Sequence, residues 1–344
     1  MKFKRSLRKA KGAFVILSLA FCGLGFAQPF KIGDHFWPTP NRAFLDSKSL
    51  GPFLQPTSSG RLESALFGCV RTNGRQFHEG IDLKPIQHDR RGESIDDIYA
   101  FHEGIVRYVN RKAGKSSYGQ YVVIEHPDIQ PGLVSLYAHL RSVPRSISPG
   151  RRVAGGEKIG IMGRSAGGYT IPRERAHLHF EIGYWLGPEF QKWFDQQPFK
   201  SPNDHGAWNG MNIVGIDVWD FWQAMKRGTV HNLEEHLARE PVAVTATIPR
   251  TSIPDILQAN PDLMTNIALP QKIGGWRVEL TWYGMPLRFT ALSREEMKGN
   301  PRVQVEVDHS LHAKGDTCIA LARTGAYSGP SGKLNTLISR LFVD

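Results

Sequence analysis

The sequence predicts a mainly β protein, an antiparallel β core followed by a C-terminal α+β extension. Between about Arg61 and Tyr184, short runs of strand-forming residues alternate with turns: 104–109, 121–125, 134–138, 158–162 and 177–182. The 35 Gly and 22 Pro among 344 residues favour turns and short strands over long helices. Beyond about Val242 helical and strand-like runs are mixed, as in a small α+β module. A composition of 40% hydrophobic and 22% charged residues with three cysteines excludes a disordered chain, a coiled coil, a multi-span membrane protein and a disulfide-dense miniprotein.

In chain order, residues 1–27 read as a signal peptide. A basic stretch ending at Lys11 precedes the apolar run from Ala13 to Phe21, and Gly25 and Ala27 suit a peptidase cleavage site. The mature chain then starts near Gln28, is exported to the periplasm or beyond, and has no stable membrane insertion. Residues 28–60 are an irregular lead-in rich in Pro, Gly and Ser. Residues 61–184 form the β core, interrupted by two polar inserts, 86–98 and 163–175. Residues 185–241 are a Trp-rich connecting segment; Trp185, Trp193, Trp208, Trp219 and Trp222 are either a sugar-stacking surface or core. Within it, 217–226 reads as a helix with Asp217 as N-cap and Gly228 at its end. Residues 242–344 are the accessory module: a helix near 252–259, a hairpin-like pair 276–283 and 287–292, a strand 302–308 and a final helix 333–341.

The formal net charge of +11 is concentrated at the start: six basic residues and no acid lie in 1–27, which leaves 37 bases against 32 acids in the remainder. That weak balance does not make a nucleic-acid-binding stripe, though it suits anionic polymers. Cys69 and Cys318 remain after cleavage, as one disulfide in an oxidising compartment or as two buried thiols.

Three segments of the β core carry groups able to hold a metal: Phe77-His78-Glu79-Gly80-Ile81-Asp82, Tyr137-Ala138-His139-Leu140 and His177-Leu178-His179-Phe180-Glu181. Zinc takes imidazole, thiolate or carboxylate, and a catalytic site keeps one position open for water. On a strand, residues two apart share a face, so His177 and His179 approach one centre together. Two histidines and one carboxylate are therefore available as ligands, with histidines left over for proton transfer. There is no His-Glu-x-x-His helix or phosphate-binding glycine loop.

These segments closely resemble the LytM or lysostaphin-type zinc metallopeptidases that cut peptidoglycan. The resemblance runs through 118–126 and 155–160 and covers about Leu66 to Tyr184. It implies the lysostaphin-type core, the duplicated hybrid motif, with His78, Asp82 and His179 as zinc ligands. It further implies His139 and His177 beside the metal as general base and as stabiliser of the tetrahedral intermediate. All five positions are filled, although some members of the family have lost ligands and act as regulators. Glu181 reads as a solvent-facing strand carboxylate, with a place behind the metal ligands as the alternative. The two inserts are expected to wall the groove.

His88, His231 and His236 read as surface groups, His102 and His126 as structural, and His309/His312 have metal-like spacing but no carboxylate or cysteine companion that makes them a persuasive site. The expected function is an exported zinc endopeptidase acting on peptidoglycan peptides. A noncatalytic wall-binding protein of the same fold and a protease of exported proteins stand as alternatives. The cleaved bond and the oligomeric state are not encoded in any motif.

Overall fold

The computed structural model describes residues 29–266, 268–323 and 329–343; the expected signal peptide, 1–27, lies outside them. Its centre is a seven-stranded antiparallel sheet. Arg152–Val153, Gly104–Asn110, Gln120–Glu125, Leu133–Leu140, Leu178–Trp185 and Ile213–Gly215 follow one another in space. Ile81–Leu83 pairs with the first residues of Leu178–Trp185. The mainly β, antiparallel expectation is met.

Both faces of this sheet are covered, which is why its central strands read as nearly continuous apolar runs. Val122, Ile124, Tyr137, Phe180 and Ile182 face the main core. Tyr121, Val123, Val134, Leu136, Ala138 and Ile213 form a smaller cluster on the other face. Residues 29–60, irregular by sequence, send Trp37, Phe44 and Phe53 into the main core, where Trp37 stacks on Phe44 at 4.4 Å and meets Trp222 edge-on at 5.4 Å. Trp193 and Trp222 are fully buried. Trp185 and Trp208 stack on each other at 4.6 Å, so the tryptophan cluster serves packing and presents no open row of indoles.

The helix Val218–Arg227 starts and ends as its sequence requires. Asp217 accepts a hydrogen bond from the Asp220 amide at 3.0 Å, and Gly228 closes the helix at φ +68°. Phe221 and Trp222 anchor it in the core.

The C-terminal α+β extension is a four-stranded antiparallel sheet in the spatial order Pro286–Ser293, Ile273–Leu280, Val244–Ile248, Gln304–Val307. The final helix, Gly332–Leu341, buries Leu334, Leu337, Ile338 and Leu341, the i, i+3, i+4, i+7 stripe of an amphipathic helix. The helix expected over 252–259 shortens to Ile256–Ala259, because Pro254 disfavours helical backbone at the residue before it, Ile253. His236, read as a surface group, is 5% exposed and packs against Phe221 at 5.4 Å. Among the described residues no helix is long and apolar enough to cross a membrane.

One hairpin of the β core carries a covalent tie to the extension. Gly68–Arg71 pairs with Gln76–His78, and Cys69 is disulfide-bonded to Cys318 across 249 residues. Phe67 meets Tyr283 at 5.0 Å and Phe77 meets Trp282 at 6.1 Å on the same hairpin.

Two outcomes follow for stability. Cross-linking so long a loop restricts the unfolded chain, so a Cys69→Ser/Cys318→Ser variant should lose about 2–5 kcal/mol in denaturant titration, and reductant should shift the wild type but not the variant. Burial raises the Asp217 carboxyl to about 6, with Asp220 and Glu240 adding to it against the helix-capping bond. Folded protein then takes up a proton near pH 6 that the unfolded chain takes up only near 4. The associated stability is full below pH 4 and is lost as pH rises through 6. Asp217→Asn keeps the cap without the charge and should be the more stable form at pH 7.5, by of order 1 kcal/mol relative to its standing at pH 4.5; equal curves for the two proteins would refute this.

Candidate metal centre

Pairing in the central sheet assembles the site. His179 lies opposite Ala138 on one neighbour and opposite Asp82 on the other. Its side chain shares a face with His177 and Glu181, the face of the smaller cluster, opposite to Phe180 and Ile182 in the main core. His78 arrives from the hairpin strand Gln76–His78, four residues before Asp82. Gly80 between them is required by close approach: a Cβ there would lie 2.2 Å from the Phe180 carbonyl oxygen.

His139 departs from strand alternation. Ala138 faces the small cluster, so a regular strand would turn His139 to the main core. Its φ of +60° re-aims it instead. Its amide donates to the Tyr118 carbonyl at 2.8 Å, and its ring lies 4.7 Å from that of His177 and 6.1 Å from that of His179.

The tautomers follow from the partners. A carbonyl only accepts, so His78 donates from Nδ1 to Leu66 O at 2.7 Å and turns a lone pair on Nε2 toward the centre. His179 donates from Nε2 to Glu181 Oε1 at 2.7 Å and turns Nδ1 inward. Asp82 Oδ1 lies 3.0 Å from His179 Nδ1 and 3.2 Å from His78 Nε2, and those two nitrogens are 3.0 Å apart. Ligands bound to zinc at 2.0–2.1 Å in a tetrahedral array are separated by roughly 3.3 Å. The donor set His78, Asp82, His179 fits zinc in type, orientation and spacing, and it is the metal-capable group found among the described residues.

The charges of the cluster are coupled, and a metal ion there competes with the proton on His179 and with the Arg71 guanidinium. Burial opposes ionisation of Asp82, yet His78, His177 and Arg71 outweigh it and hold the carboxyl well below its usual range. Burial likewise opposes a charged His179, but hydrogen bonds to Asp82 and Glu181 prevail and raise it to about 9. Burial depresses His139 well below its ordinary value, helped by His177 and His179, and depresses His177 as well. Both are thus neutral imidazoles. His139 donates from Nδ1 to Ser165 O at 2.8 Å and His177 from Nδ1 to Arg175 O at 2.7 Å, so each keeps Nε2 for proton transfer.

Sequence reasoning misplaced one residue and missed two. Glu181 is 1% exposed and does not face solvent; it accepts from His179 Nε2 and from the Tyr118 hydroxyl at 2.6 Å. Its parity with His179 was the available signal. Tyr118 carried none, because a loop residue far in sequence is brought in by the sheet. Arg71 was also silent: its guanidinium hydrogen-bonds Asp82 Oδ2 and lies 2.7 Å from His78 Nε2, a fixed positive charge against the ligand cluster. His312 accepts the Ala322 amide at 3.1 Å and belongs to the C-terminal packing.

The site opens into a cleft of about 960 Å³ whose lining includes His139 and His179 on one side and Tyr283, Leu321 and Leu337 of the C-terminal extension on the other. From the insert 163–175, Tyr169 reaches this cleft. The insert 86–98, expected to wall the groove, contributes nothing to that lining. It braces its partner instead: Glu93 takes two 2.9 Å bonds from Arg164 and one of 3.3 Å from Arg173. Those cations hold the Glu93 carboxyl down at about 2.

No curated protein matches the chain. Among solved structures, the catalytic domain of a prophage-encoded M23 protein, EnpA, from Enterococcus faecalis is 22% identical over 39% of this chain and 82% of its own, with a TM-score of 0.28. A zinc-containing peptidase from Vibrio cholerae is 28% identical over 38% of this chain and 35% of its own, with a TM-score of 0.26. The catalytic domain of lysostaphin from Staphylococcus simulans is 20% identical over 33% and 70%, with a TM-score of 0.25. Residues 76–191 match Peptidase family M23. The stretch that carries His78, Asp82, His139, His177 and His179 thus lies within the region that matches Peptidase family M23, whose members are zinc-dependent.

Proposed function

We propose that the chain is an exported zinc-dependent endopeptidase that hydrolyses peptide bonds in the stems or cross-links of bacterial peptidoglycan. The observation that carries this reading is the convergence of His78 Nε2, Asp82 Oδ1 and His179 Nδ1 beside two neutral imidazoles with free Nε2 atoms, at the wall of a peptide-sized cleft. Zinc, when bound, supplies Lewis acidity toward the scissile carbonyl and makes a water nucleophilic near neutral pH.

The residues of the chain divide the proton work. His139, fixed by Ser165 O, accepts a proton at Nε2 and returns it to the departing amine. His177 has committed its Nδ1 hydrogen to Arg175 O, so it stabilises a developing oxyanion only when its Nε2 is protonated. Asp82 Oδ1, 3.7 Å from that nitrogen, favours the protonated form, while burial keeps the resting ring neutral. The rings lie too close for both to carry charge together, so the pair works with one shared proton. Glu181 and Tyr118 act behind His179, fixing its tautomer and orientation.

Mass spectrometry of purified peptidoglycan after digestion tests the reading, in parallel with metal analysis. Wild type should bind about one zinc per chain and release new peptide termini. His179→Ala should lose the metal, and its rate should fall by more than the roughly 10–100-fold cost of losing an outer partner. Zinc-loaded wild type that leaves peptidoglycan uncut would overturn the assignment. Glu181→Gln removes the acceptor charge but keeps the shape, and competition with a chelator should show zinc affinity reduced by about 10–100-fold; unchanged affinity would mean that Glu181 serves packing alone.

A further inference from the structure

The cleft continues beyond the metal centre to the C-terminal helix Gly332–Leu341, and its charge is one-sided. Arg71, Arg75, Lys115, Lys333 and Arg340 line it, with Glu79 as the acidic lining residue. Two of the cations are already committed: Arg71 pairs with Asp82, and Lys115 with Asp204 at 2.9 Å. Among the described residues, Arg75, Lys333 and Arg340 have no carboxylate partner. Arg340 is the most telling of these. Its guanidinium lies over the Trp193 ring at 5.9 Å and donates one hydrogen bond to the Met211 carbonyl, while its Nε is buried with no acceptor. Burial brings its pKa down to about 10, so it remains charged at neutral pH although it is partly buried. A partly buried cation without a counter-charge is costly, and a planar guanidinium with a free N–H edge is matched by a carboxylate.

We propose that the cations of the cleft without a carboxylate partner, Arg340 with Arg75 and Lys333, bind a free carboxylate of the substrate peptide while the scissile bond lies at the metal centre. The C-terminal extension is then a specificity wall, contributing two of the three cations, and the Cys69–Cys318 bridge holds it beside the hairpin that supplies His78. This inference rests on the endopeptidase reading for the identity of the peptide, and on the cleft alone for its charge preference.

Isothermal titration of the full mature chain tests it, with a disaccharide tetrapeptide purified from peptidoglycan and its carboxyl-amidated derivative as the probes. Wild type should bind the free acid at least about tenfold more tightly than the amide, the difference shrinking as salt rises. In Arg340→Gln the two affinities should approach one another. Should that partly buried substitution impair folding, the exposed pair Arg75→Gln/Lys333→Gln provides the same reading. Equal affinity of wild type for acid and amide, or a preference that persists in both variants, would overturn the subsite. Digestion of whole peptidoglycan by wild type is measured alongside: cleavage without carboxylate preference refutes the subsite and leaves the endopeptidase standing. Preference without cleavage supports the subsite and refutes the enzyme.

Discussion

The antiparallel register of one strand, Leu178–Trp185, is the constraint on which the site depends. It sets His179 beside Asp82 on one neighbour and beside Ala138 on the other, so groups separated by about a hundred residues come within 3.2 Å. A slip of one residue would turn His177, His179 and Glu181 into the main core and expose Phe180 and Ile182. The apolar residues that bury the sheet therefore also hold the metal-capable group in place.

That arrangement places a compact set of ionisable groups inside the protein, and their electrostatics are coherent. Asp82 and Glu181 bring negative charge that Arg71 balances in part; a backbone carbonyl turns His78 and the Glu181 carboxylate turns His179, so that their inward nitrogens meet at one point. A buried carboxylate is tolerable only with such compensation. The left-handed backbone at His139 belongs to the same design, since a regular strand would not bring that ring to His177.

The C-terminal extension is more than an appendage to the fold. Its helix joins the main core through Leu334, Leu337, Ile338 and Leu341, and its loops form the far side of the cleft. The tie to the Gly68–His78 hairpin combines a covalent bond with aromatic contacts of Phe67 and Phe77. The inserts of the β core, by contrast, are braced to each other through Glu93, and of their residues Tyr169 reaches the cleft.

Much of this was legible from local sequence, for a physical reason. Strand alternation, helix caps such as Asp217 and Gly228, the apolar stripe of the last helix and the ligand types His78, Asp82 and His179 are properties of neighbouring residues, which the chain displays directly. Glu181 was half-legible: parity placed it on the right face, but its burial required the covering ring of Tyr118. The choice between disulfide and free thiols, the charge of Arg71 against Asp82, the unpaired Arg340 and the wall opposite the metal centre were decided by tertiary structure. Each depends on elements far apart in sequence meeting in space, and the pairing of Cys69 with Cys318 leaves no mark on the residues around either cysteine.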